Sequence, residues 1–160
     1  FLVQSIGGKK YLFNEKGNPV YGMQKGSTTT DASVHYYYCG SSRADCSVKT
    51  GRFVMTEADG DKITYYAESN GRGYTGVKNG YLYYEGRLQQ ADQSAKYQTC
   101  YVDGKNYVIS YSGLVMKSKT NLRDADGNKV STNADGTLKA NLDGSLEAMT
   151  ATAPDVDDID

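Results

Sequence analysis

Five tyrosines crowd the stretch "YAESNGRGYTGVKNGYLYY" (66–84), and four of them, Tyr66, Tyr74, Tyr81 and Tyr84, are the side chains best suited to chemistry. That chemistry is non-covalent. A phenol ring is half apolar plate and half hydroxyl. Its flat face can stack on the C–H side of a sugar while hydroxyls and nearby Asn, Gln or Glu side chains hydrogen-bond the sugar's OH groups. These four are the candidate ligand-binding residues.

Covalent chemistry has a thin inventory. An enzyme needs a nucleophile beside its base, a pair of carboxylates in a cleft, or a metal. His35 and Cys39 stand four apart in "HYYYC" (35–39), a spacing that on a strand shares a face without contact, and Cys100 is remote in sequence. His35 is read as a packed or surface histidine. The acids gather in "EADGD" (57–61) and "RDADGN" (123–128), where Asp serves turn geometry. Asp124, Asp126 and Asn128 start like a calcium loop, but Gly127 comes fourth rather than sixth, and the twelfth place holds Asp135 instead of a bidentate Glu. A lone His35 and the lack of a C-x-x-C pair argue against a structural zinc site. The expectation is no catalytic residue, no metal site, no cofactor and no enzyme.

Composition narrows the partners. The 160 residues carry 18 basic and 19 acidic side chains, interleaved to a net charge of -1, without the concentrated basic face that nucleic acid requires. No run approaches the roughly 18 apolar residues of a membrane span, so no membrane insertion is expected. The chain starts at Phe1 without an initiator Met, which suggests that a leader has been removed. Cys39, Cys46 and Cys100 are an odd set, so a full disulfide framework is not indicated, although Cys39 and Cys46 are near enough to pair across a loop.

The elements that must position the tyrosines come from a repeat. "GKKYLFNEKGNPV" (8–20) and "GKNYVISYSGLVM" (104–116) match at Gly8/Gly104, Tyr11/Tyr107, Phe13/Ile109, Gly17/Gly113 and Val20/Met116. The same Gly-to-Gly interval of nine separates Gly51 from Gly60 and Gly127 from Gly136, while "GDKITYYAESNG" (60–71) is longer and "GYLYYEG" (80–86) shorter. Alternate side chains share one face of a strand, so Tyr11 with Phe13, Ile63 with Tyr65, Tyr81 with Tyr83, and Tyr107 with Ile109 form an apolar seam. Each segment runs into a turn signal such as "NEKGN" or "ESNG", which makes it a β-hairpin. A single hairpin is marginal in water and must stack on its neighbours. The predicted fold is all-β, an irregular solenoid of stacked β-hairpin repeats over 1–142. Residues 27–50 are read as an insertion or degenerate repeat, and 143–160 as an acidic C-terminal tail or linker.

"KKYLFNEKGNPVYGMQK" (9–25) and "ITYYAESNGRGYTGVKNGYLYYEGRL" (63–88) resemble the cell-wall-binding and glucan-binding repeats of Gram-positive surface proteins, the choline-binding modules among them. Tyr11-Leu12-Phe13 fits the family's aromatic strand, Lys16-Gly17-Asn18 its turn, and Gly22-Met23-Gln24 its Gly-Trp step; Tyr65-Tyr66, Asn70-Gly71 and Gly76-Val77 fit again. Met23 and Val77 stand where the family carries tryptophan, and tryptophan is the strongest partner for a quaternary ammonium. The resemblance implies a secreted or cell-surface, non-catalytic module whose partner is a cell-wall polysaccharide or other glycan. The alternative is a structural spacer or a solenoid that self-associates.

Overall fold

Two kinds of turn recur along the chain, and glycine fixes both. In the first, Gly17 N donates to Asn14 O (3.0 Å) and Asn14 N donates to Asn18 O (3.0 Å). The same pair of bonds closes Glu57–Asp61, Glu68–Arg72, Ser110–Leu114, Asp124–Asn128 and Asn133–Thr137. The fourth residue of each is a glycine with φ between 78° (Gly17) and 92° (Gly60), the left-handed residue of a type I turn with a G1 bulge. In the second, φ is positive at both central residues, Gly7-Gly8, Asn79-Gly80, Glu85-Gly86 and Asp103-Gly104, which is the type I′ turn whose twist matches paired strands. The Gly-to-Gly rhythm of the sequence is therefore a rhythm of hairpin turns.

The computed structural model describes residues 1–159, and among them the regular structure is entirely β, in small hairpin sheets. The chain forms two compact units. The first holds Phe1–Tyr74, Glu85–Arg87 and the segment from Ala153 on. Its strands are β1 (Leu2–Ile6), β2 (Lys9–Phe13), β3 (Met23–Gly26), β4 (His35–Tyr38), β5 (Gly51–Thr56) and β6 (Lys62–Ala67). They pair antiparallel as β1–β2, β3–β4 and β5–β6, and Arg87 pairs with Tyr65 on the free side of β6. Val3, Leu12, Val20, Tyr37 and Cys39 form one apolar cluster, and Met23, Met55, Ile63, Tyr65 and Ala67 another.

The second unit holds Thr75–Tyr84 and Leu88–Thr152. It contains β7 (Gly76–Lys78), β8 (Tyr81–Tyr84), Leu88 of β9 (Arg87–Leu88), β10 (Tyr97–Val102), β11 (Lys105–Ser110), β12 (Leu122–Arg123), β13 (Lys129–Thr132), β14 (Leu138–Asp143) and β15 (Ala148–Met149). β7 pairs with β8, β12–β13–β14 form an antiparallel meander, and β10 takes β11 antiparallel on one side and β15 parallel on the other. Leu82, Cys100, Val102, Tyr107 and Ile109 anchor its larger core, and Val108, Met116, Val130 and Leu146 its smaller one.

The seam is complete in two of the four copies. Ile63, Tyr65, Tyr83, Tyr107 and Ile109 are buried. The first copy inverts it: Leu12 is sealed, whereas Tyr11 and Phe13 are half-buried. The cross-strand partners decide this, because Leu12 faces Val3 while Tyr11 faces Gln4 and Phe13 faces Leu2 at the open end of the hairpin. Tyr81 also departs from the expected seam, being half-buried while Leu82 and Tyr83 are both enclosed.

Residues 27–50, expected as an insertion or decayed copy, supply β4, which completes a hairpin with β3, and Lys49 N returns to Tyr38 O (2.8 Å). Residues 143–159 of the expected tail make specific contacts within each unit. Met23 N donates to Asp157 Oδ2 (2.9 Å), Gln24 Nε2 to Asp157 O (3.0 Å) and Asp155 N to Glu57 Oε2 (2.6 Å). In the second unit, buried Gln89 donates to Thr152 O (2.9 Å) and accepts from Thr152 N (2.8 Å), meeting a buried amide with two backbone partners. Asp160, the last residue of that expected tail, lies outside the described residues.

Candidate functional site

The backbone holds Tyr66 and Tyr74 in one place. Tyr74 N donates to Tyr66 O (3.0 Å), Gly86 N to Tyr74 O (2.8 Å) and Tyr66 N to Gly86 O (2.8 Å), a closed ring of bonds among three segments. The two phenol rings meet edge to face, with centroids 5.5 Å apart at 74°. Both residues are half-buried, and Tyr65, on the opposite face of β6, is fully enclosed. Period two thus sorts one tyrosine into the core and its neighbour onto the surface. Such an edge-to-face pair is a rigid platform with little side-chain freedom left to lose on binding.

Tyr81 and Tyr84 belong to the other unit. Tyr81 is bridged through its backbone to Leu114, itself exposed, and Leu82 N donates to Gly113 O (3.1 Å). Tyr84 leans on the core of Leu82, Tyr107 and Ile109, and of the four predicted residues it has the most structural position.

The sequence reading missed four aromatics, Phe1, Phe13, Tyr101 and Tyr111. Phe13, with Phe1, Leu2, Asn14, Glu15 and Lys16, lines an open groove of about 720 Å³, and its ring lies 6.4 Å from that of Tyr11. The groove sets apolar rings beside an amide, a carboxylate and an ammonium, the mixture that reads a polar ligand with apolar faces. Tyr101 and Tyr111 are 63% and 51% exposed. The available signal was position: Phe13 and Tyr111 sit beside or within hairpin turns, and strand alternation turns Tyr101 away from the face of buried Cys100 and Val102.

Asp31 and the cysteines are engaged in structure. Asp31 Oδ1 accepts from Ser33 Oγ (2.6 Å) and Ser33 N (2.9 Å), which with Arg72 nearby lowers its pKa. Ser33 Oγ also lies 3.0 Å from His35 Nε2, with Asp31 Oδ2 at 3.8 Å from that same nitrogen. In a nucleophilic triad, serine and aspartate sit on opposite ring nitrogens, so these three residues do not form the relay. Burial pushes the Cys39 thiol up to about 12 and that of Cys100 to about 11, the reverse of an activated nucleophile. All three cysteines are free thiols, so Cys39 and Cys46 are not joined.

The acids likewise serve the backbone. Asp124 Oδ1 accepts from Asp126 N (3.0 Å) and Asn128 N (2.8 Å), and Oδ2 from Asn128 Nδ2 (2.9 Å), which is turn chemistry. Glu57, Asp59 and Asp155 approach one another within 4.8 Å, yet buried Glu57 gives one oxygen to Arg87 Nη1 (3.0 Å) and the other to Asp155 N (2.6 Å). Glu57→Ala removes both acceptors at once. It should cost about 3 kcal/mol in urea unfolding and loosen the segment carrying Asp155, seen as faster exchange of its amide. Unchanged exchange there would mean that Glu57 does not hold the segment.

The chain is thus an all-β run of successive glycine-turned hairpins, with some rings sealed and others open. No protein-family model matches the sequence, and no curated protein matches it. Solved structures do share its fold. Choline-binding protein F from Streptococcus pneumoniae aligns with a TM-score of 0.53 at 23% identity, over 86% of this chain and 40% of that one. A structure of the same protein in the presence of a peptidoglycan analogue, a tetrasaccharide-pentapeptide, gives 0.52 at 24% identity over 86% and 39%. Choline-binding protein J of the same organism gives 0.52 at 22% identity over 86% and 40%. The chain thus has a choline-binding-like repeat fold and spans about two fifths of the length of these structures.

Proposed function

We propose that this chain is a non-catalytic cell-wall or carbohydrate-binding module of a secreted or surface bacterial protein, its hairpins acting as a solenoid that offers aromatic rings to a polysaccharide. The observation that carries the reading is the Tyr66–Tyr74 pair: two rings fixed by a closed set of backbone bonds yet only half-buried. The Phe13 groove supports it, because it places Asn14 and Glu15 where sugar hydroxyls need partners. The fold likeness to choline-binding protein F supports it too, one structure of which was determined with a peptidoglycan analogue.

Met23 is completely buried and packs with Met55 and Tyr65, so it fills core volume and is not placed to line a ligand cage. The recognition is therefore of sugar faces by tyrosine and phenylalanine, without the tryptophan cage for choline. A wall pull-down and a glycan array test it. Retention on isolated walls or on a defined glycan is the expected result. Failure on both, with dimers forming as concentration rises, would instead support self-association through exposed strand residues such as Val54 on β5.

A further inference from the structure

Two clefts outside the aromatic surfaces share one composition. In the second unit, Ser118, Lys119, Thr120, Ser131, Asn133 and Lys139 line a cleft of about 290 Å³. In the first, Lys9, Lys10, Thr50, Ser69 and Asn70 line one of about 250 Å³. Each offers two ammonium groups amid hydroxyls and an amide, and no carboxylate lines either one among the described residues.

The fold builds both clefts. Lys119 N donates to Thr132 Oγ1 (2.8 Å), Thr132 N to Lys119 O (2.8 Å) and Ser118 N to Asn133 O (2.9 Å), which fixes the 118–120 strap against the β13 turn. Asp135, the acid in that turn, is engaged elsewhere: Thr137 N and Oγ1 donate to its Oδ1, and Lys105 lies 3.5 Å from its Oδ2. Lys119 and Lys139 have no ion-pair partner among the described residues, and neither does Lys9; Lys10 spends one proton on Asn70 O (3.3 Å). In a chain with 18 basic and 19 acidic residues, acids to pair with are plentiful, yet these lysines line clefts shared with hydroxyl side chains.

We propose that each cleft takes one anionic group, a phosphate or a carboxylate, carried on the polymer that the module binds. Ammonium groups are the point-charge donors for such oxygens, and the surrounding hydroxyls complete their hydrogen bonds. The proposal rests on the wall-polymer reading above and narrows it to a polymer with anionic substituents. It does not require a broad basic face, since each cleft accepts a single group.

Isothermal titration of the full chain with a synthetic glycerol-phosphate oligomer, an oligogalacturonate and neutral dextran, each at low and high salt, tests it. At least one anionic oligomer should bind, with an affinity that falls as salt rises. The phosphate and carboxylate arms identify which group is preferred. The surface change K119Q with K139Q should weaken that binding about tenfold, the order expected for two exposed charge contacts, while dextran or wall retention through the rings persists. Anionic oligomers that fail to bind, or that bind the double variant unchanged, would overturn the proposal. If neutral glycan still binds in that case, the module reading stands without it; if nothing binds, both fall.

Discussion

Gly86→Ala should destabilise the protein by about 2–5 kcal/mol. Two costs combine. Gly86 has φ of 90°, where a side chain is strained by about 1–2 kcal/mol. A methyl group there would also overlap the Tyr65 ring, which is fully enclosed among Met23, Met55 and Ile63 and has nowhere to retreat. Moving a packed aromatic costs about 1–3 kcal/mol more. Gly17→Ala is the matched control, with φ of 78° and nothing within 4 Å of the added carbon. It should lose only the strain, about 1–2 kcal/mol. Urea unfolding of both variants decides the point: equal midpoints would mean that the Tyr65 ring does not press on Gly86.

Leu12→Ala should cost about 2–5 kcal/mol, and Phe13→Ala clearly less. Leu12 is wholly buried beside Val3, Val20 and Tyr37, so its removal leaves a cavity in the first unit's core. Phe13 is half-buried at the mouth of its groove, and its loss should be felt in ligand binding more than in unfolding. Thermal unfolding of the pair is the check. If Phe13→Ala were the more damaging, the core would lie on the opposite face of β2.

That contrast shows what could be read in advance. Turn chemistry was visible because positive φ at Gly17, Gly60, Gly71, Gly113, Gly127 and Gly136 is written as glycine at a fixed place after a polar residue. Hairpins followed, and with them the all-β class and the burial of Tyr65, Tyr83 and Tyr107. The sequence could not say which face of β2 turns inward, because aromatic and aliphatic residues alternate there and only the partner strand breaks the tie. The C-terminal acids looked like solvated tail residues; Asp155 and Asp157 contact the first unit through Glu57 and Met23, partners about a hundred residues or more away in sequence.

The candidate site divides in the same way. Alternation put Tyr66 on the side opposite Tyr65, as expected, but its meeting with Tyr74 depends on backbone bonds to Gly86 that no local pattern announces. The groove at Phe13 was hidden by the mistaken assignment of that ring to the seam. The two lysine clefts are invisible in sequence, since Lys119 and Lys139 are brought together only by the meander of β12, β13 and β14.

Titration of the wild-type chain and of Tyr66→Ala and Tyr74→Ala with fragments of isolated wall glycan bears most directly on the claim that open phenol rings hold a polysaccharide. Each substitution should lower affinity about tenfold, the scale of one lost ring contact, with the unfolding midpoint little changed. Wild-type affinity in both variants, with the fold intact, would contradict it.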